Sequence, residues 1–196
     1  SVLGLQLESQ YNTIKKEIKN EYLKQIKQII IADAKEVVRH MEKSGVTESG
    51  QIEDAIILVK KAQVIPEALT QELAQTIVTL WEDFNFRTSY GQISSTLHEN
   101  MDSFFPVATK FADPNYELEN EYLLKASIPT EGYMTHQFTI NDVNTEFVEV
   151  GGSKMQREQW YKTYQSVDMI IFVASLSDFD QMLICDQSVF RTHDSI

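Results

Sequence analysis

Between positions 22 and 111 apolar residues recur at three- and four-residue intervals and almost never alternate. That period excludes a sheet over nearly half the chain and demands a helical bundle. The clearest stripe is Ile26, Ile29, Ile30, Ala34, Val37, Val38 and Met41, which predicts one long amphipathic helix with Gly45 as its stop. Residues 52–62 predict a second helix, Pro66 a break, and residues 70–81 a third. One or two shorter helices are expected in 94–111, and Asp113-Pro114-Asn115 punctuates the exit.

On either side of this block the grammar differs. Residues 1–8 (SVLGLQLE) suit a short buried strand, and 13–19 a helix. Residues 132–140 and 145–150 are β-rich and joined at 141–144 by Asn-Asp-Val-Asn, a hairpin-length turn. Residues 155–165 predict a helix, and the apolar run 169–175 (MIIFVAS) a strand buried on both faces. Residues 2–7, 147–150 and 169–175 are therefore expected as neighbouring parallel strands. Strand and helix alternating at both ends of an all-helical block point to one domain inserted in another.

Apolar residues make up 42% of the chain, enough for a substantial core, and the net charge of −12 argues against a nucleic-acid partner, whose phosphates need a basic face. Cys185 is the one cysteine, so no internal disulfide can form; it is expected in a core. No stretch reaches the roughly 18 to 20 apolar residues of a transmembrane segment. A cytoplasmic location is expected. His40, His98, His136 and His193 are scattered, without metal-ligand spacing, and surface or capping roles are expected of them. Trp81 and Trp160 are expected as packing anchors.

Adjacent glycines at the end of a strand mark a backbone that comes close to something. Here they open VGGSKMQREQW (150–160), which resembles the D-V-G-G-Q-R-x-E-R-x-x-W switch segment of heterotrimeric G-protein α subunits. Residues 170–172 (IIF) with 176–180 (LSDFD) resemble that family's I-I-F-x-x-x-L-S-D-Y-D, and 191–195 (RTHDS) its R-M-H-E-S. Asp113-Pro114-Asn115-Tyr116 sits where the family leaves its helical domain. The resemblance implies an α/β Ras-like P-loop NTPase fold, partial here, with an inserted all-α helical domain. Residues 1–19 and 117–196 would form the Ras-like part and 22–112 the insertion, with no room for the usual linker between 19 and 22. The N-K-x-D guanine-specificity motif, the receptor-binding C-terminal helix and the lipid-bearing N-terminal helix have no counterpart in these residues.

The resemblance also implies GTP/GDP and Mg2+ as ligands, a βγ dimer, a receptor and an effector as partners, and a place at the inner face of the plasma membrane through them. The phosphate loop G-x-x-x-x-G-K-S/T falls on residues 5–13, where Glu8, Ser9 and Thr13 match. Leu5 and Gln10 replace its glycines, Leu7 its small middle residue, Tyr11 its lysine, and Asn12 stands at the metal-binding hydroxyl. In 125–132 (KASIPTEG), like the first switch R-T-R-V-K-T-T-G, Ser127 holds the place of the catalytic arginine and Thr130 that of the threonine on Mg2+ and γ-phosphate. Glu149 corresponds to the acid that meets the metal through water, Gly151 and Gly152 to the phosphate-sensing glycines, and Ser153 to the glutamine that orients water. Lys154, Arg157 and Trp160 would face partners. Without the arginine, glutamine and lysine no hydrolytic machinery is expected, and guanine-nucleotide binding is expected to be very weak. The implied function is either a G-protein α-type signal transducer impaired in GTP binding and hydrolysis, or a nucleotide-independent scaffold or decoy of that descent.

Overall fold

The computed structural model describes residues 2–11, 14–45, 52–130, 132–152, 156–176, 179 and 188–190. Its organising element is α2 (Lys16–Lys43), whose Ile26, Ile30, Ile31, Ala34, Val37, Val38 and Met41 are all buried. The three- and four-residue spacing puts them on one stripe, and burying it stabilises the helix far more than propensity does. The helix stops as expected: Gly45 takes φ +69°, its N–H donates to the Glu42 carbonyl at 3.2 Å, and the Ser44 N–H to His40 at 3.0 Å. At its other end the helix takes in the segment expected to be separate. It runs without a break through positions 19–22.

Against α2 pack α3 (Glu53–Lys61), α5 (Phe84–Ile93), α6 (Met101–Phe104) and α7 (Ala108–Ala112), and α4 (Gln71–Glu82) packs on α3, α5 and α7. Pro66 opens a 3-10 turn, Pro66–Ala68, that separates α3 from α4. Thr70 caps α4 by accepting from the Leu73 N–H, and Asp83 caps α5 by accepting from Asn85 and Phe86. Trp81 is the packing anchor expected of it, edge-on to Phe86 and Tyr90 and tilted against Phe105. The same core continues through Leu118 into Tyr122, Leu123 and Ala126 of α8 (Asn120–Lys125) and its C-cap, and takes in Leu5 and Ile14.

After α8 the chain forms an antiparallel hairpin, β1 (Tyr133–Ile140) and β2 (Val143–Val150), in register from Tyr133 opposite Val150 to Ile140 opposite Val143. Asn141 and Asp142, at φ 50° and 64°, form the tight turn, two residues where four were expected. Positive φ at both positions matches the right-handed twist of the strands. The helix expected over 155–165 is a 3-10 turn, Arg157–Gln159, leading into the single turn α9 (Trp160–Tyr164).

Two strand expectations fail. Residues 2–7 belong to the helix α1 (Val2–Tyr11), in which leucine, glutamine and glutamate are good helix formers and Val2 alone is β-branched. Residues 169–175 belong to no helix or strand of the described residues, with Met169, Ile170, Ile171, Phe172 and Val173 all exposed. Both failures have one cause. A parallel strand exists only beside another, and with residues 2–7 helical the described residues hold no parallel sheet for 169–175 to join. The Cys185 expectation lies outside the described residues.

Candidate functional site

The inner face of the hairpin is where the sequence-marked residues meet. Strand alternation puts Met134, His136 and Phe138 of β1 on the same face as Phe147 and Glu149 of β2. Helix α1 lies across it. Its Gly4 comes so close that a Cβ there would stand 2.6 Å from Glu149 Oε2 and 2.7 Å from His136 Nε2. Glycine is required at this crossing in spite of its cost inside a helix, about 1 kcal/mol against alanine.

His136, 2% exposed, is the centre of the arrangement. Its Nδ1 is 2.8 Å from Glu8 Oε1, and its Nε2 faces Glu149 Oε2 at 3.8 Å. A carboxylate only accepts, so the Nδ1 hydrogen donates to Glu8. The ring stacks on Phe138 with planes 7° apart, which fixes its orientation. Thr130 donates its hydroxyl to Glu149 Oε1. Glu8, Thr130 and Glu149, chosen from sequence, are thus brought together around a histidine that sequence reading assigned to the surface or a cap. The signal was present: alternation along 133–140 puts position 136 on the buried face. Ser9, also chosen, lies aside and accepts from Asn120 Nδ2 at 3.0 Å.

Gly151 and Gly152 form a second, adjoining knot. The Gly151 N–H donates to Gly132 O at 2.9 Å, and a Cβ on Gly151 would meet the Thr130 carbonyl at 2.8 Å. With the Gln156 amide turned so that its nitrogen faces the Thr130 carbonyl, it donates to that carbonyl and accepts from the Gly132 N–H, each at 3.2 Å. Trp160 Nε1 donates to Gly151 O at 2.9 Å, and Arg157, whose Nε donates to Gly152 O at 3.3 Å, lies over the Trp160 ring. The close approach foretold by the paired glycines is therefore real at Gly151, to the chain's own backbone and Gln156; at Gly152 a Cβ would meet nothing within 4 Å. Ser127 adopts φ 45° next to this region. Asn12, Thr13, Ser153 and Lys154 lie outside the described residues, and Tyr11 ends α1.

Beside the site a cleft of about 630 Å³ opens between α2 and Ile128, Pro129, Thr130 and Met134. Among the described residues its walls carry Glu21, Thr130 and His98 together with apolar, aromatic and amide side chains, and no lysine or arginine. His98 is committed elsewhere: its Nδ1 is 3.0 Å from Asp33 Oδ1, and its N–H donates to Asp33 Oδ2 at 2.9 Å. The hydrogen bond to Asp33 raises the His98 pKa above its ordinary value. Among the described residues no cluster of three or more His, Cys, Asp or Glu is placed to hold a metal ion.

The sequence pattern defining G-protein alpha subunits matches residues 4–196. The chain belongs to the G-protein α-subunit family. It is 32% identical over 126 residues to the guanine nucleotide-binding protein alpha-4 subunit of Dictyostelium discoideum, covering 63% of this chain and 36% of that one. With the alpha-1 subunit of Mycosarcoma maydis it shares 26% over 142 residues (72% and 40%), and with the alpha-7 subunit of Caenorhabditis briggsae 27% over 150 residues (76% and 43%). The chain thus spans roughly two fifths of the length of these relatives. Membership implies a Ras-like GTPase fold with a helical domain, of which the described residues form a helix-rich body and one hairpin.

Membership also implies guanine nucleotide and Mg2+. Among the described residues, 5–11 do not form the phosphate cradle that these would need. A phosphate cradle needs a turned backbone with several N–H groups open to the ligand. Residues 5–11 are instead helical, where amides past the first turn are bonded four residues back, and Leu5 is 2% exposed in the core.

Proposed function

We propose that this chain acts in G-protein signalling as an α-subunit-type transducer impaired in GTP binding and hydrolysis, presenting partner surfaces whose shape does not depend on guanine nucleotide. The observation that carries this reading is α1: the segment aligned with the phosphate loop is a helix packed on the hairpin through Gly4 and Glu8, with Leu5 buried in the helical core. Opening it into a cradle would expose Leu5 and break the Glu8–His136 bond. Among the described residues that line the adjoining cleft there is no lysine or arginine, which points the same way, since a triphosphate needs charge-assisted donors. Residues Lys154, Arg157 and Trp160 are proposed to meet partners, of which a βγ dimer, a receptor and an effector are the candidates. The division into a Ras-like part (1–19, 117–196) and a helical insertion (22–112) belongs to the same proposal. Ser127 and Ser153 supply neither the arginine charge nor the glutamine amide, so no hydrolytic step is assigned.

A nucleotide-dependent switch is the second reading, favoured by the meeting of Thr130 with Glu149 beside Gly151. Titration with a fluorescent non-hydrolysable GTP analogue and Mg2+ separates the two. The expected result is no saturation below about 100 μM, because loss of two or three charge-assisted bonds at roughly 1.5 to 3 kcal/mol each weakens binding by several decades. Sub-micromolar saturation would establish the switch and end the first reading.

A further inference from the structure

We propose that α1 is a releasable strap over the Thr130–Glu149 pair, and that the buried His136 is the latch that holds it down. The inference goes beyond the function above and does not depend on whether nucleotide binds.

The strap is weak by itself. A ten-residue helix is marginal in water, and this one carries a glycine at its third residue, no acid in its first turn and no base in its last. What holds it is tertiary: Leu5 in the core, Ser9 bonded to Asn120 of α8, and Glu8 bonded to His136. Of these the last is the most buried polar contact. It joins α1 to the hairpin through a ring that also faces Glu149, so three segments meet at one imidazole. Gly4 presses on the same two side chains, so α1 seats fully only when His136 and Glu149 are in place. With the strap down, α1 covers Glu149, 7% exposed; lifting it removes the helix that lies over that carboxylate. Removing one partner of a buried charged contact leaves the other without its compensation, which makes the contact all-or-none.

Amide hydrogen exchange on the intact chain reads the latch directly. In Glu8→Ala, and in His136→Phe, which keeps a ring against Phe138, exchange over residues 6–11 is expected to rise on the order of tenfold while α2 amides from Ile26 to Met41 keep their rates. The double variant is expected to exchange no faster than the faster single one, because one contact cannot be broken twice. Asn120→Ala, which removes the α8 tether, is expected to add to either. Should His136→Phe fail to fold, Glu8→Ala, which removes the acceptor, decides alone through the same residues. Unchanged exchange in α1 would overturn the proposal. So would an equal rise in α2, which would make His136 an ordinary part of the core, or strict additivity of Glu8→Ala with His136→Phe.

Discussion

The Asp33–His98 contact shows how one residue's setting changes what it does. Asp33 sits on the buried stripe of α2, 4% exposed, where a carboxylate is costly unless hydrogen-bonded. Two donors from His98, the backbone N–H and Nδ1, satisfy it. Because the bond to Asp33 raises the folded-state pKa of His98 above the ordinary 6.5, protonation favours the folded state. The sign follows: this contribution is complete below the unfolded pKa and is lost as pH rises through the folded one. The wild-type melting temperature, less that of His98→Gln at the same pH, should therefore be largest at about pH 6 and shrink towards about pH 9. A difference that grows with pH would contradict the assignment. Gly4 and Gly151 teach a related lesson. Each was a glycine because a neighbour stands where its Cβ would be, and the neighbour belongs to the protein itself.

Among the elements, α2 is the one whose continuity matters most. Periodicity from 26 to 41 made its existence plain, but the passage at 19–22 reads in sequence as a place where one domain hands over to another. In the structure the helix crosses it, with Ile18, Tyr22 and Leu23 packed against the core on one side. Asn20 is exposed and inside the helix. Asn20→Pro should therefore cost about 3 kcal/mol or more through the lost hydrogen bond and the ring clash, whereas Asn20→Ala should be neutral or slightly stabilising. Chemical denaturation with helical circular dichroism measures both, and a Pro variant as stable as wild type would mean that the chain turns there. The hairpin carries the opposite message. Its strands were legible from alternation and the place of the turn from its residue types, but the turn is the two residues Asn141-Asp142, and β2 begins at Val143, two residues before the expected start.

At the scale of the molecule, burial divides along the chain. Residues up to 126 share one core, whereas 169–173 leave five large apolar side chains exposed. Ile171 is 59% exposed, so Ile171→Lys should change unfolding free energy by no more than about 0.5 kcal/mol while lowering the tendency to aggregate. A loss of several kcal/mol on denaturant unfolding would instead place this segment inside a sheet. Sequence by itself determined the helical bundle, the stripe of α2, the two strands of the hairpin, and the family. Each rests on local periodicity, local turn chemistry or the identity of residues in a motif. Only the tertiary structure decided that residues 2–7 are helix, that 169–175 are not a strand of the described sheet, and that His136 joins Glu8 to Glu149. An apolar run of six or seven residues suits a strand or a buried helix turn equally, and what lies beside it makes the choice. A histidine reads as surface or core according to partners 128 positions away, as Glu8 is from His136, and no window on the sequence contains both.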